Sequence, residues 1–238
     1  MSAELDQALR VRQRARARRR NRRFAVVAVG LLVVAALAWL VGFSPVLVVR
    51  DVEVTGAVLT PVDDVRAAAA VPAGTPLARL DGAAITGRVE QLATVADARL
   101  VRSWPSTVRI EVTERSAVYQ IDAGGGYGQV DSSGVVFTTS PERSAVPVAA
   151  LADAGDQELR AAVATATSAL PQDVHERLGS VSAGSVDSIS FLLDGGTTIF
   201  WGGAEQSAEK ASVIEVLLAR GGDYTTYDVS APSRPAAS

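Results

Sequence analysis

The sequence contains no cysteine and only one histidine among its 238 residues. Without cysteine, disulfides and thiolate metal sites are excluded. A histidine-based serine triad would have to use His175, which lies in the polar stretch PQDVHERL with no G-x-S-x-G motif beside it. No spacing typical of metal ligands is present either. We therefore expect a protein that is not an enzyme and that binds no cofactor or metal.

Two other clusters could suggest chemistry but have simpler interpretations. The glycines of GGGYG, residues 124–128, lack the spacing of a dinucleotide-binding fingerprint and do not precede a helix. This pattern favours a flexible turn. Asp63 and Asp64 lie at the start of a predicted helix, where carboxylates interact favourably with the helix dipole. We interpret them as helix-terminal charges and not as a catalytic carboxylate pair.

Charge is distributed very unevenly along the chain. Residues 1–23 contain nine arginines and two acidic residues, a net charge of +7. Residues 44–238 contain 14 basic and 24 acidic residues, a net charge of −10. The intervening residues 24–43 carry no charge at all, and a helix of that length spans about 30 Å, the thickness of a bilayer's hydrocarbon core. The composition predicts a cytoplasmic tail (1–23) and a transmembrane helix (24–43).

The arginines next to the apolar run set the expected orientation. By the positive-inside rule, Arg18, Arg19, Arg20, Arg22 and Arg23 keep the N-terminus in the cytoplasm and contact anionic lipids. A nucleic-acid role is disfavoured because no aromatic residues interleave with the arginines. A signal peptide cleaved near Ala36-Leu37-Ala38 remains an alternative, as does a buried core helix. We expect a single-pass membrane protein whose C-terminal domains are extracytoplasmic.

Residues 48–116 show the order strand, helix, helix, strand, strand. A first strand ends at Gly56, a helix opens after Thr60-Pro61, and a second helix is predicted from Asp81 to about Val95. The last two strands flank Trp104-Pro105-Ser106, with Trp104 predicted to fold over the hairpin as part of the core. Predicted core positions are Val62, Val65, Ala69, Ile85, Val89, Leu92, Val108, Ile110 and Val112.

The rest of the chain predicts a second domain, residues 117–231, followed by a disordered tail, 232–238. Its predicted elements are a hairpin at GQVDSSGVVF, a loop over 141–155, a helix capped by Asp156 and a hairpin around Asp194-Gly195-Gly196. A helix from about Glu205 to Arg220 and a last strand at 224–229 follow. The helix is predicted to bury Val213, Ile214, Val216 and Leu217.

Several of these motifs resemble the FtsQ/DivIB family of bacterial cell-division proteins. The stretch W-P-x-T-x-x-I-x-V-x-E-R is matched by residues 104–115, and V-D-x-x-G-x-x-F by residues 130–137. Glu209-Lys210 and Tyr227-Asp228-Val229 are similar to further family segments. The resemblance implies an α+β protein: one transmembrane helix, a POTRA domain (βααββ) over 48–116, and a mixed α/β "beta" domain with an antiparallel sheet over 117–231.

The resemblance also implies partners rather than a reaction. In this family the last strand of the beta domain receives FtsB as an added strand, together with FtsL. Carried to this sequence, the partner-binding residues are Tyr224, Thr225, Thr226, Tyr227, Asp228 and Val229. A second edge, at Arg99, Val101 and Ser103, would receive another division protein. Further partners that the resemblance implies are FtsK-, FtsW- or FtsI-like proteins. The implied function is a divisome scaffold at the division septum, without nucleic acid.

Three alternative functions are open to the sequence. A POTRA-bearing export or assembly factor would normally carry repeated POTRA units or a following barrel. A cell-wall hydrolase or synthase would need converging acids and bases in a cleft. A secreted envelope-binding protein would follow from cleavage of the apolar segment.

Overall fold

The fold is described from a computed structural model that covers residues 25–36, 39–43, 46–221 and 224–238. The apolar segment forms helix α1, Ala25–Phe43, whose described side chains are almost all exposed. Its length and composition are those of a membrane-crossing helix. The predicted arginine tail, including Arg18, Arg19, Arg20, Arg22 and Arg23, lies outside the described residues.

The chain divides into two compact units. The first comprises Val62–Val89, Ala98–Val112 and the described part of Met1–Thr55. The second comprises Gly56–Pro61, Glu90–Asp97 and the described part of Thr113–Ser238.

A three-stranded sheet with two helices forms the βααββ part of the chain. The elements are β1 (Asp51–Thr55), α2 (Val62–Ala69), α3 (Gly82–Val89), β2 (Val95–Ser103) and β3 (Thr107–Glu114), with a 3-10 turn at Leu77–Arg79. The strand order is β1-β3-β2, and β1 runs parallel to β3 in the register Val52↔Val108, Val54↔Ile110. The predicted alternation holds, since Val108, Ile110 and Val112 are all buried.

The second helix of this region is shorter than predicted. It ends at Val89, and residues 92–94 form a turn whose carbonyl groups are all used. Val95 N–H donates to Leu92 O, and Arg115 binds the other two carbonyls through its backbone and side chain. Val62 was also predicted to be buried but is 37% exposed, since only Val65 and Ala69 of α2 face the core.

A nine-stranded sheet organises the rest of the chain. Its strands are β4 (Tyr119–Asp122), β5 (Tyr127–Val130), β6 (Val136–Ser140), β7 (Val148–Leu151), β8 (Leu178–Ala183), β9 (Ile189–Leu193), β10 (Thr198–Gly202), β11 (Thr226–Asp228) and β12 (Ala236–Ala237). Their order is β12-β11-β10-β9-β8-β7-β4-β5-β6. Five of the eight pairs are antiparallel, and β4–β7, β7–β8 and β10–β11 are parallel. The α+β class predicted from the sequence is confirmed.

Three helices accompany this sheet: α4 (Gln157–Ser168), α5 (Gln172–Glu176) and α6 (Ser207–Arg220). As predicted, the Asp156 carboxylate caps α4 by accepting from the Glu158 and Leu159 N–H groups. The core lies between α4, α6 and one face of the sheet. On that face, side chains in register form a buried row across six strands: Tyr227, Ile199, Phe191, Val181, Ala149 and Ile121.

The structure differs from the sequence expectation in three places. Residues 148–151, predicted to lie in a loop, form β7 in the middle of the sheet. Residues 236–237, within the tail predicted to be disordered, form β12. Val216 in α6, predicted to be buried, is 52% exposed, while Lys210 of the same helix is buried.

Candidate partner-binding edges

The border strands of the two sheets are the places where another chain could be added. A border strand carries N–H and C=O groups on one side that are not used by its own sheet. In the part of the chain that the structure describes, the borders are β1 and β2 of the small sheet and β6 and β12 of the large one.

The predicted binding residues 224–229 lie one strand inside this border. Antiparallel β12 pairs with β11, with Tyr227 opposite Ala237 and Asp228 opposite Ala236. The Thr225 and Thr226 N–H groups both donate to Ser238 O at 3.0 Å, and Ser238 N–H donates back to Thr226 O. The expectation of a free edge at 224–229 is therefore corrected: the chain's own C-terminal residues occupy it.

The alternation of the ladder identifies which groups of β12 face outward. Thr226 and Ser238 exchange both hydrogen bonds, which makes them a hydrogen-bonded pair. The adjacent pair, Tyr227 and Ala237, must then direct its N–H and C=O groups away from the shared ladder. The peptide groups of Ala237 consequently point out of the sheet's border, and those of Tyr227 point toward β10.

The tyrosines of the last segment differ in their surroundings. Tyr227 is 4% exposed and belongs to the core, whereas Tyr224 is 49% exposed. Their rings meet edge to face with centroids 6.2 Å apart. A proline at Tyr227 would remove a donor facing β10 and a core side chain, so that substitution would test folding and not partner binding.

The second predicted edge lies on a border. β2 is the outermost strand of the small sheet on its side, and Arg99 on it is exposed while Val101 and Ser103 are half-buried. The structure does not test the use of these residues by a partner, which stays a prediction.

The Glu114-Arg115 pair of the recognised motif has a structural role. The Glu114 carboxylate accepts hydrogen bonds from the Leu59 and Thr60 N–H groups, at 2.7 to 3.0 Å. Arg115 pairs through Nη1 with the buried carboxylate of Asp131. Asp131 in turn accepts from Ser133 N–H and Val135 N–H, both at 2.9 Å, which fixes the turn between β5 and β6.

These contacts determine the charge state of the two carboxylates. Burial opposes ionisation of Asp131, but hydrogen bonds from Ser133, Val135 and Arg115 outweigh it and lower its pKa. For Glu114, burial is likewise outweighed by the Leu59 and Thr60 backbone donors, and its pKa is lowered. Both groups therefore stabilise the folded state in their ionised form.

We predict that acid weakens the fold through these two groups. Because their folded pKa values are lowered, the stabilisation is complete above the unfolded values, about 4, and is lost as pH falls through the folded values. Asp131→Asn should cost about 1–3 kcal/mol at pH 7, since it leaves Arg115 and backbone donors without their anion. Urea unfolding at pH 7 and pH 3 measures both effects.

The matched control is Asp173→Asn, at an exposed position of α5. It should leave the stability near that of the unmodified protein. Equal stability of Asp131→Asn and Asp173→Asn at pH 7 would contradict the role given to Asp131.

Among the described residues, another buried charged side chain is that of Lys210, in the Glu209-Lys210 pair. It is 3% exposed, and its Nζ donates to Gly203 O at 2.8 Å. Burial lowers its pKa, and the nearby carboxylates of Glu205 and Asp187 partly oppose this. Lys210 therefore fixes the loop between β10 and α6, a role that the sequence motif did not reveal.

Comparison with known proteins matches two families to adjacent parts of the chain. Residues 47–115 match the POTRA domain of FtsQ type, and residues 117–229 match the C-terminal region of cell division protein FtsQ/DivIB. A solved structure of the major extracytoplasmic domain of the trans isomer of DivIB from Geobacillus stearothermophilus covers 47% of this chain and 99% of its own. It has a TM-score of 0.35 and 16% identity.

Curated relatives extend over most of the chain. Cell division protein FtsQ of Streptomyces bingchenggensis is 36% identical over 238 residues, covering 95% of this chain and 89% of the relative. FtsQ of Mycolicibacterium smegmatis is 40% identical over 202 residues, covering 84% of this chain. The match spans 60% of that relative's length, and 66% of the length of FtsQ of Mycobacteroides abscessus. The chain belongs to the FtsQ/DivIB family of bacterial cell division proteins.

Proposed function

We propose that this protein is a non-enzymatic divisome scaffold that binds FtsB- and FtsL-like proteins by strand addition at the outer side of β12. The observation that carries the proposal is the outward-facing peptide group of Ala237 at the border of the large sheet. An added strand would use this N–H and C=O, and main-chain hydrogen bonds would supply affinity. The site therefore moves outward by one strand from residues 224–229.

The surroundings of β12 supply side chains that could select a partner. Tyr224 is half-exposed, and the neighbouring Thr225 N–H binds Ser238 at the end of the chain. A large aromatic side chain beside an open ladder offers contact area at low entropic cost. Ala237 packs its own side chain against the core, so its peptide group is held in place by the fold.

The membrane placement follows from the sequence and from α1. The apolar helix would span the cytoplasmic membrane, with the arginine-rich N-terminus in the cytoplasm and both sheets outside it. Strand addition at the septum would then gather partners on the extracytoplasmic side of this membrane. The border strand β2, with Arg99, Val101 and Ser103, is the second docking edge in this proposal, for an FtsK-, FtsW- or FtsI-like protein.

In-cell photo-crosslinking tests the proposal. A photoreactive amino acid replaces Ala236, whose side chain is exposed on β12, and in a separate strain Thr139, which is exposed on the opposite border strand β6. We expect Ala236 to capture an FtsB- or FtsL-like protein, identified by mass spectrometry, and Thr139 to capture neither. Capture of these proteins from Thr139 alone, or from neither position, would overturn the assignment to β12.

A further inference from the structure

Trp104 does not occupy the core position predicted for it. It is 50% exposed at the turn between β2 and β3, although the sequence motif suggested that it would fold over the hairpin. A half-exposed tryptophan is amphipathic, with an apolar ring and an N–H donor. The residues near Trp104 indicate which environment its exposed ring contacts.

Within the first unit, the C-terminal end of α1 contacts the 3-10 turn at Leu77–Arg79. The Arg79 guanidinium lies over the ring of Phe43, 3.8 Å from its centroid, and Phe43 stacks on Trp39 at 6.1 Å. Arg50 lies seven residues after Phe43 in the sequence, a reach of at most about 25 Å. The part of the unit near Arg79 must therefore lie close to the end of the membrane-crossing helix.

Hydrogen bonds connect Trp104 to this same end. Arg102, two residues earlier, donates to Leu77 O and Leu80 O at 2.8 Å, on either side of Arg79. Ser106, two residues later, accepts from Arg50 N–H at 2.8 Å. Leu77 N–H also binds Leu47 O, within the segment that follows α1. These contacts place the turn that contains Trp104 beside the C-terminal end of α1.

We name the exposed residues of this end, Val46, Arg79 and Trp104, the membrane-proximal rim. Val46 is 59% exposed and Trp104 50%, and Arg79 is exposed beside the Phe43 ring. Other exposed charges at this end are Arg50, Asp51 and Asp81. Exposed apolar and aromatic groups next to arginines are the composition typical of the headgroup region of a bilayer.

We propose that the membrane-proximal rim docks on the headgroups of the outer leaflet of the cytoplasmic membrane. The Trp104 ring lies at the level of the headgroups, and the Arg79 guanidinium binds a lipid phosphate. The rim thereby fixes the height of the first unit above the bilayer. This inference rests on the membrane placement proposed above, and the following experiment separates the two.

Quenching by brominated lipids tests the rim in the full chain. The protein is reconstituted in vesicles of phosphatidylcholine and phosphatidylglycerol with bromines high on the acyl chains. Trp39→Phe leaves Trp104 and the fully buried Trp201, whereas Trp104→Phe leaves Trp39 and the same Trp201 background. Quenching of the Trp104→Phe protein reports α1 in the bilayer, and quenching of the Trp39→Phe protein reports the rim. Acrylamide measures exposure of the same tryptophans to water.

We expect lipid quenching in both single variants, its loss in the Trp39→Phe/Trp104→Phe double variant, and weaker quenching of Trp104 when Arg79→Gln is added. One outcome is that lipid quenches Trp39, in the Trp104→Phe protein, while Trp104, in the Trp39→Phe protein, is quenched only by acrylamide. That result overturns the rim proposal and leaves the membrane placement standing. If neither single variant is quenched by lipid, both are overturned.

Discussion

Ala237→Pro is expected to weaken binding of the FtsB-like protein of the same organism at least tenfold, an effect of about 1.4 kcal/mol or more. Proline removes the N–H that points out of the border of the large sheet, and an added strand would lose the hydrogen bond to it. The pairing of β12 with β11 should survive, because the groups that join these strands belong to residues 236 and 238. Titration with the partner, using full-length protein in nanodiscs, measures the affinity.

Ala237→Ser is the matched control, since serine keeps the N–H at nearly the same side-chain volume. It should bind within about twofold of the unmodified protein, the range expected for a substitution that leaves the ladder intact. Unchanged affinity of a folded Ala237→Pro protein would contradict strand addition at the outer side of β12.

Gly134→Ala is expected to cause a large loss of stability, because the added methyl group would meet backbone atoms. Gly134 has φ 77°, a left-handed conformation, and a Cβ there would lie 2.7 Å from Ala161 Cα and closer still to Ala161 N. Because both are backbone atoms of α4, the helix must shift away from the β5–β6 turn. Strained φ and overpacking together should cost about 2–4 kcal/mol, measured by urea unfolding.

Gly125→Ala is the control for this substitution. A Cβ at Gly125 meets nothing within 4 Å, and this residue is not among the glycines with positive φ. Its stability should change by less than about 0.5 kcal/mol. Similar losses in the two variants would show that the close approach of Gly134 to α4 does not limit the fold.

The sequence was most informative where a pattern is local. Alternating Val108, Ile110 and Val112 identified β3, and the Asp156 cap identified α4. Each signal arises within a few residues, through the pleat of a strand or the start of a helix. The motif ending in Glu114-Arg115 also identified the family correctly, although Glu114 and Arg115 themselves serve the fold.

The sequence was least informative where structure depends on distant pairing. The four-residue β7 is specified by β4 and β8 on its two sides, and the two-residue β12 by β11 alone. Neither is long enough to show a periodic pattern. The sequence also showed no sign that β12 pairs with β11, so residues 224–229 could be recognised as a strand but not as an inner one.

Exposure of single residues was similarly hard to predict. Trp104 was expected in the core because a large aromatic side chain usually buries its surface, yet the end of the unit beside α1 leaves half of it exposed. Val62 and Val216 occupy helix positions consistent with burial but lie at the edges of their apolar stripes. The periodicity of apolar residues predicts which side of a helix faces the core, but not how many residues on that side are buried.

Exchange of a single amide hydrogen tests the central claim most directly. In the free protein, the Ala237 N–H faces outward while the Ser238 N–H is already bonded to Thr226 O at 3.0 Å. With full-length protein in nanodiscs and saturating FtsB-like partner, NMR should show exchange at Ala237 slowing about a hundredfold or more, as for a buried ladder bond. Unchanged exchange at Ala237 in the saturated complex would contradict strand addition at this border.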